Sequence, residues 1–249
     1  MEKGHSGFLS RCLSVDLEVD PGAARVFAMA AVRHDARLAI IARGTPTARQ
    51  LDELEAAIGD VEHTIGHNFL RHDMEHLIAI RPQFAGLLEA PIDTLWLNPL
   101  AFPRNPYHHL VKHYQDGRLA KGHVNDPELD ARLVFEVLAN QLDALAALGS
   151  GQPEVLAAYH HLTTRLDQTK GFDAVFRYLR GAACPGQADA FSAIRAMLSG
   201  KACQKRIEQT LGRLANPRNG WPMAYALSWI SVAGGDSVMP PWVRAQFRE

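Results

Sequence analysis

Residues 11–20, RCLSVDLEVD, alternate in period two along their whole length. Leu13, Val15, Leu17 and Val19 fall to one side, and Cys12, Ser14, Asp16 and Glu18 to the other. Successive side chains on a β-strand point to opposite faces, so the segment reads as a strand with one apolar face. That face has to be covered, which commits the N-terminal part of the chain to a sheet with a layer packed against it. The other face carries two carboxylates at i and i+2, side by side. Two ionised carboxylates on one face either line an exposed polar edge or hold a cation, and the apolar flanks favour a central strand over an edge.

A turn signal at Pro21-Gly22 and two more strand-like segments, 25–32 and 37–42, predict a three-strand antiparallel meander. The period then lengthens. Residues 47–58 place apolar side chains at 51, 54, 57 and 58, which is helical spacing, with Thr47 as N-cap. Residues 63–66 read as a short buried strand, 73–80 as a helix and 92–97 (IDTLWL) as a strand. Residues 98–107 contain Pro99, Pro103 and Pro106 and are expected to be irregular. Helices are expected over 108–114 and 127–148, the second long and amphipathic. This order predicts an α/β fold, a mixed sheet flanked by helices. Gly149-Ser150-Gly151-Gln152-Pro153 then marks a boundary. Beyond it only helical patterns follow, over roughly 153–181, 187–199, 202–215 and 221–232, before an exit segment at 237–249. The expected organisation is a domain over 1–150 and an all-helical extension over 151–249.

Composition narrows the function classes. At 249 residues with 47% hydrophobic content, the chain is large enough for a real core and too apolar for wholesale disorder. No run approaches ~18 consecutive apolar residues, and the polar N-terminus lacks a signal-peptide core, so neither a membrane nor export is expected. Three widely spaced cysteines, Cys12, Cys184 and Cys203, form no zinc pattern and suit a reducing cytoplasm. The net charge of -1 hides an asymmetry. Residues 1–150 hold 14 Lys and Arg against 20 Asp and Glu, and residues 151–249 hold 12 against 7. Such a split is either chance or a cation-binding half joined to a half that meets a polyanion. Arg165, Lys170, Arg177, Arg180, Lys201, Lys205, Arg206 and Arg213 form a loose basic set in the helical part. It reads either as solvated helix surface or as a track for phosphates, depending on how the residues cluster in space. The pairs His108-His109 and His160-His161 fit no metalloprotease spacing.

Two more acidic signals follow the strand pair. Gly66-His67-Asn68 closes the short strand and Asp73 opens the next helix; Asn125-Asp126-Pro127-Glu128-Leu129-Asp130 opens the long one. Taken singly, Asp73 and Asp126 read as N-caps and Asp130 as a carboxylate at a helix dipole. Together, Asp16-x-Glu18, Gly66-His67-Asn68 with Asp73, and Asp130-Ala131 resemble the DEDD (DnaQ-like) family of 3′–5′ exonucleases, over about residues 11–148. The run Ile92-Asp93-Thr94-Leu95-Trp96-Leu97-Asn98-Pro99-Leu100-Ala101-Phe102-Pro103 with Asn105-Pro106-Tyr107-His108 is similar to the exonuclease region that precedes certain bacterial RecQ-like helicases. The stretch from Trp221-Pro222 through residues 231–235 to Pro240-Pro241-Trp242-Val243 is similar to the segment before such a helicase core. No Gly-x-x-x-x-Gly-Lys-Ser/Thr loop occurs, so the motor itself is not in this chain.

The resemblance implies a ribonuclease H-like fold, with parallel strands added to the meander. It implies that Asp16, Glu18, Asp73 and Asp130 hold two divalent cations, Mg²⁺ or Mn²⁺, hard ions that prefer oxygen ligands. Asp16 would bridge both ions and Glu18 would help orient the attacking water. The reaction would release nucleoside 5′-monophosphates from the 3′ end of a nucleic acid, with single-stranded DNA favoured by the association with a helicase. Leu17, through the backbone from 17 to 20, and Asn125 are candidate substrate-binding residues, His67 and Asn68 either shape their loop or touch substrate, and Phe69 and Trp96 are either core or base-stacking residues. In the histidine-type branch a His stands five residues before the last Asp; here that position is Asn125, and an amide takes no proton from water. The readings that follow are His123 as the base, activation of water by the metal ions alone, or a weakened nuclease. In the last case the chain would be a nuclease-fold module that binds nucleic acid or a helicase partner.

Overall fold

The computed structural model describes residues 4–20, 22–23, 25–105, 108, 110, 114–115, 118–119 and 126–230. The turn residue Pro21, the pair Pro106-Tyr107, His109, His123, Asn125 and the segment 231–249 lie outside the described residues.

In chain order the elements are α1 (Ser6–Leu9), β1 (Cys12–Asp20), β2 (Arg25–Arg33), β3 (Ala39–Ala42), α2 (Ala48–Gly59), β4 (His63–Gly66), α3 (Asp73–Ile80), α4 (Phe84–Leu87), β5 (Ile92–Asp93) and α5 (Thr94–Ala101). There follow β6 (Tyr114–Gln115), β7 (Arg118–Leu119), α6 (Pro127–Gly151), α7 (Pro153–Thr163), α8 (Gly171–Arg180), α9 (Gln187–Leu198), α10 (Gln204–Arg213) and α11 (Gly220–Ser228). The fold is α/β. β1 to β5 form a mixed sheet in the order β3-β2-β1-β4-β5, and β6 and β7 pair with each other. β2 runs antiparallel to both β1 and β3, while β4 runs parallel to both β1 and β5. The alternating N-terminal strand is therefore the central one.

Its two faces explain the alternation. Leu13, Val15 and Leu17 join Met29 and Ala31 of β2, Leu51 and Leu54 of α2, and Phe69, Leu77 and Phe84 in one buried cluster. α2 is started by a capping box in which Thr47 and Gln50 bind each other's backbone amides. On the opposite face Cys12 and Ser14 are wholly buried, and only Asp16 and Glu18, further along, are half-exposed. Both faces are thus covered at the start of β1, and the polar face opens toward its C-terminal end. Beside it, Gly66 ends β4 where a Cβ would sit 2.8 Å from the Phe69 ring and 3.0 Å from the Val15 carbonyl. Only glycine lets the loop after β4 fold back so closely.

The chain divides into two compact units, one made of Met1–Trp96 and His108–Asn140, the other of Leu97–Tyr107 and Gln141–Glu249. The division falls inside α6; the Gly149–Pro153 run lies further on, where α6 gives way to α7. In the second unit Gln141 donates from Nε2 to Asn98 Oδ1 at 3.0 Å, a buried polar pair. α6 is the one described helix long and apolar enough to cross a membrane, and its Ala131, Val134, Leu138, Leu142 and Leu145 side chains are buried within the protein.

Three expectations are corrected. Residues 92–97 are not one strand: β5 stops at Asp93, and α5 begins at Thr94 and runs through Pro99. The Asp93 carboxylate accepts from the Leu95 amide at 2.9 Å, so it caps a helix where an apolar run suggested a strand. Tyr114 belongs to a strand rather than to a helix over 108–114. The stretch 153–181 is broken at its middle. Thr163 and Thr164 turn their hydroxyls back onto the carbonyls of Tyr159 and His160, at 2.8 and 2.7 Å, and α7 ends there.

Candidate metal centre

Asp16 and Glu18 share a face of β1, as their spacing requires. The strand opposite leaves room for them. Asp16 lies across from Ala30 and Glu18 across from Ala28, and directly paired residues point to the same face. Two alanines thus flank the two acids, and no bulky side chain crowds the carboxylates from β2. The pairing with β4 has ended by then, since its last partners are Ser14 and Ile65. The acids therefore stand beyond the end of the parallel ladder, where open α/β sheets form their clefts. Directly after Glu18 the register with β2 shifts: Glu18 faces Ala28 but Val19 faces Val26, so Phe27 is an extra residue on β2.

The third carboxylate comes from α6. Asp126 accepts from the amides of Glu128 and Leu129 at 3.2 and 3.3 Å, and Pro127 takes the first helical position. That cap fixes the first turn, and Asp130, 5% exposed, projects from it. Carboxylate oxygens of Asp16, Glu18 and Asp130 lie within 4.8 Å of one another. Three carboxylates at such distances repel unless positive charge sits among them. An all-oxygen donor set of this kind suits Mg²⁺ or Mn²⁺.

Asp73, expected as the fourth ligand, is not among the carboxylates that meet there and has a different partner. The Leu17 amide lies between the two acids, past the last β4 pair, and donates to Asp73 Oδ1 at 3.0 Å. Asp73 is 2% exposed, and burial raises its pKa against the pull of His72 and the Leu17 amide. His72 Nδ1 lies 3.4 Å from Asp73 Oδ1. That bond, helped by Glu18 and Glu75, raises the imidazole's pKa. His72 was not among the sequence candidates, although it is adjacent to Asp73 and stacks edge-on with His76 one turn later.

The other candidates take up loop-building positions. Leu17 lies on β1 with its side chain in the core, so only its backbone, the part proposed to line a terminal nucleotide, faces the acids' side of the strand's end. Thr94 donates to the Gly66 carbonyl at 3.1 Å and accepts from His67 Nδ1 at 2.9 Å, which puts the proton on that nitrogen. Asn68 adopts a left-handed conformation, φ 67°, and its amide donates to Asp93 Oδ1 at 3.0 Å. Phe69 is wholly buried in the core, and the half-buried Trp96 carries the Arg71 guanidinium over its ring at 5.4 Å.

Asp93 organises this loop. Its oxygens collect the amides of Asn68, Leu70 and Leu95, at 3.0, 3.0 and 2.9 Å. Burial outweighs those donors and pushes its pKa up to about 6. In the unfolded chain an Asp loses its proton near pH 4, whereas the folded protein holds this one until about pH 6. Stability from Asp93 is therefore complete below pH ~4 and is lost as pH rises through 6, by roughly 3 kcal/mol. Urea unfolding from pH 4 to 7 should show that loss in the wild type and a flatter profile in Asp93→Asn. Parallel profiles would refute it.

No family model matches the chain, and neither a curated protein nor a solved structure does.

Proposed function

We propose that this chain is a divalent-metal-dependent 3′–5′ exonuclease of the DEDD type on a ribonuclease H-like scaffold. It acts on nucleic acid, single-stranded 3′-ended DNA by preference, beside a RecQ-like helicase core. The observation that carries the reading is the meeting of Asp16, Glu18 and Asp130, from a central strand and the first turn of a distant helix. The mixed sheet, with its antiparallel meander and parallel strands, supports it as a compatible scaffold.

Asp16, Glu18 and Asp130 would hold the cations. Bound there, two ions supply activation of water and charge stabilisation at the leaving 3′ oxygen. The protein's own contribution is placement. The β1 ladder fixes Asp16 and Glu18, and the Asp126 cap fixes Asp130. Asp73 holds the Leu17 amide, so the backbone between the two strand acids keeps its position. The alanines at 28 and 30 add no bulk beside the acids from β2.

The test is degradation of a 5′-labelled single-stranded oligonucleotide by the full chain. With Mg²⁺ or Mn²⁺ a ladder shortened from the 3′ end is expected, and EDTA should stop it completely. Binding without shortening, with either ion, would overturn the enzyme reading and favour the non-catalytic module. The same ions should raise the melting temperature, because a ligand at about 100 times its Kd adds roughly 2.7 kcal/mol to the folded state.

A further inference from the structure

The helical unit contains a cleft of about 500 Å³ lined by His161, Thr164, Arg165, Lys170, Asp173 and Cys184. Two of its lining residues, Asp173 and Cys184, group with the buried His160 behind them, with ligand atoms within 4.8 Å of one another. The hydrogen bonds argue against a cation there. Arg180 Nη1 lies 2.7 Å from His160 Nδ1, and His160 Nε2 lies 2.7 Å from Asp173 Oδ1. A guanidinium only donates, so Nδ1 accepts and Nε2 carries the proton to Asp173. The imidazole has no lone pair left, and Arg177 holds the second Asp173 oxygen. Two guanidiniums against this trio would repel a metal ion.

The charges point to the opposite class of ligand. Arg165 and Lys170 line the cleft, and Arg177 and Arg180 bind its wall residue Asp173 and that residue's partner His160. Four members of the dispersed basic set thus gather in one place. Arg165 is half-buried, and Nη1 has the Leu214 carbonyl. That is its one protein acceptor among the described residues, which leaves Nε and Nη2 unfilled on a five-donor fork suited to phosphate. Lys170 is exposed and tied only to the fully exposed Asp167 at 3.2 Å, a pair worth little in water. His161 is 9% exposed, its Nδ1 faces the Pro185 carbonyl at 3.0 Å, and Nε2 has no hydrogen-bond partner among the described residues. His161 Nδ1 donates to that carbonyl, so Nε2 is an acceptor, which a protonated phosphate oxygen fills beside the spare donors of Arg165 and Lys170.

We infer that this cleft binds a phosphate group, with Arg165 and Lys170 as its principal donors. The phosphate belongs either to a small phosphorylated compound or to the phosphodiester backbone of a nucleic acid. The site lies in a different unit from the acidic trio, so its failure and that of the nuclease reading are separable.

The cleft carries its own reporter. Cys184 lines it, while Cys203 is exposed elsewhere and serves as internal reference. The full chain, in EDTA, is alkylated with iodoacetamide, and the rate at each cysteine is read by peptide mass spectrometry. Inorganic phosphate and a single-stranded oligonucleotide are added separately. Slowing at Cys184 but not Cys203 is expected. Protection by inorganic phosphate assigns the small compound, and protection by the oligonucleotide alone assigns the backbone. Arg165→Gln and Lys170→Gln should each raise the half-protecting concentration roughly tenfold, the loss of one charged hydrogen bond. Lys170 lies on the surface, so its variant tests the site even if Arg165→Gln fails to fold. No protection by either probe would overturn the inference, as would protection unchanged in Lys170→Gln.

Discussion

Asp16→Ala is expected to lower 3′-end degradation by roughly 10³-fold or more while the protein stays folded, because charge stabilisation by metal ions supplies several kcal/mol to such a reaction. Asp16 is half-exposed and one of three clustered carboxylates, so its removal relieves repulsion as it removes a proposed metal ligand. The melting temperature in EDTA should therefore move by only a few degrees. Asp73→Ala should behave differently. It leaves the Leu17 amide without its acceptor, and a buried unsatisfied donor costs about 1–3 kcal/mol. That variant should lose stability together with activity. Asp73→Asn, which keeps an acceptor oxygen, should recover much of the stability. Oligonucleotide assays paired with thermal melts separate the two signatures. An Asp16→Ala protein that degrades at the wild-type rate would remove the trio from the mechanism.

The largest stability loss is expected at a glycine of the helical unit. Gly220 opens α11, and a Cβ built there runs into the carbonyl of Leu162 on α7. That obstacle is backbone, with no rotamer to turn away, so α11 would have to shift from α7. Overpacking of this kind costs ~3 kcal/mol or more. Gly220→Ala should lower the unfolding transition of the helical unit by roughly 10 °C. Gly212, inside α10, is the contrasting position, because a Cβ there meets nothing within 4 Å. Gly212→Ala should leave the transition unchanged or raise it slightly, by about 0.5–1 kcal/mol of helix propensity. Calorimetry on the two variants checks both; a Gly220→Ala protein melting with the wild type would show that α11 has room to move.

Local rules carried much of this fold. The alternation in 11–20 specified β1 and the shared face of Asp16 and Glu18, and Thr47 announced α2. The pattern misleads where a side chain acts over a short distance against it. Ile92-Asp93-Thr94-Leu95-Trp96-Leu97 looks like a strand by apolar content, yet the Asp93 carboxylate turns Leu95 into the first turn of a helix. The threonines at 163 and 164 sit in a convincing helical pattern and end it through their own hydroxyls. Long-range partners were out of reach for a different reason. Period and capping orient Asp130 on its helix, but only tertiary packing brings it to Asp16 and Glu18. The same holds for the bond from Leu17 to Asp73, and for the gathering of Arg165, Lys170, Arg177 and Arg180 around one cleft.

The extra residue at Phe27 isolates the acids from the hairpin that follows them. Val26 and Met29 differ in parity, yet both lie in the same core, because Phe27 absorbs one step between them. Upstream of that step the pairing from Leu13 with Arg33 to Glu18 with Ala28 is unbroken. The hairpin end, Val19 with Val26 and Asp20 with Arg25, thus runs one residue out of step with the segment that bears Asp16 and Glu18.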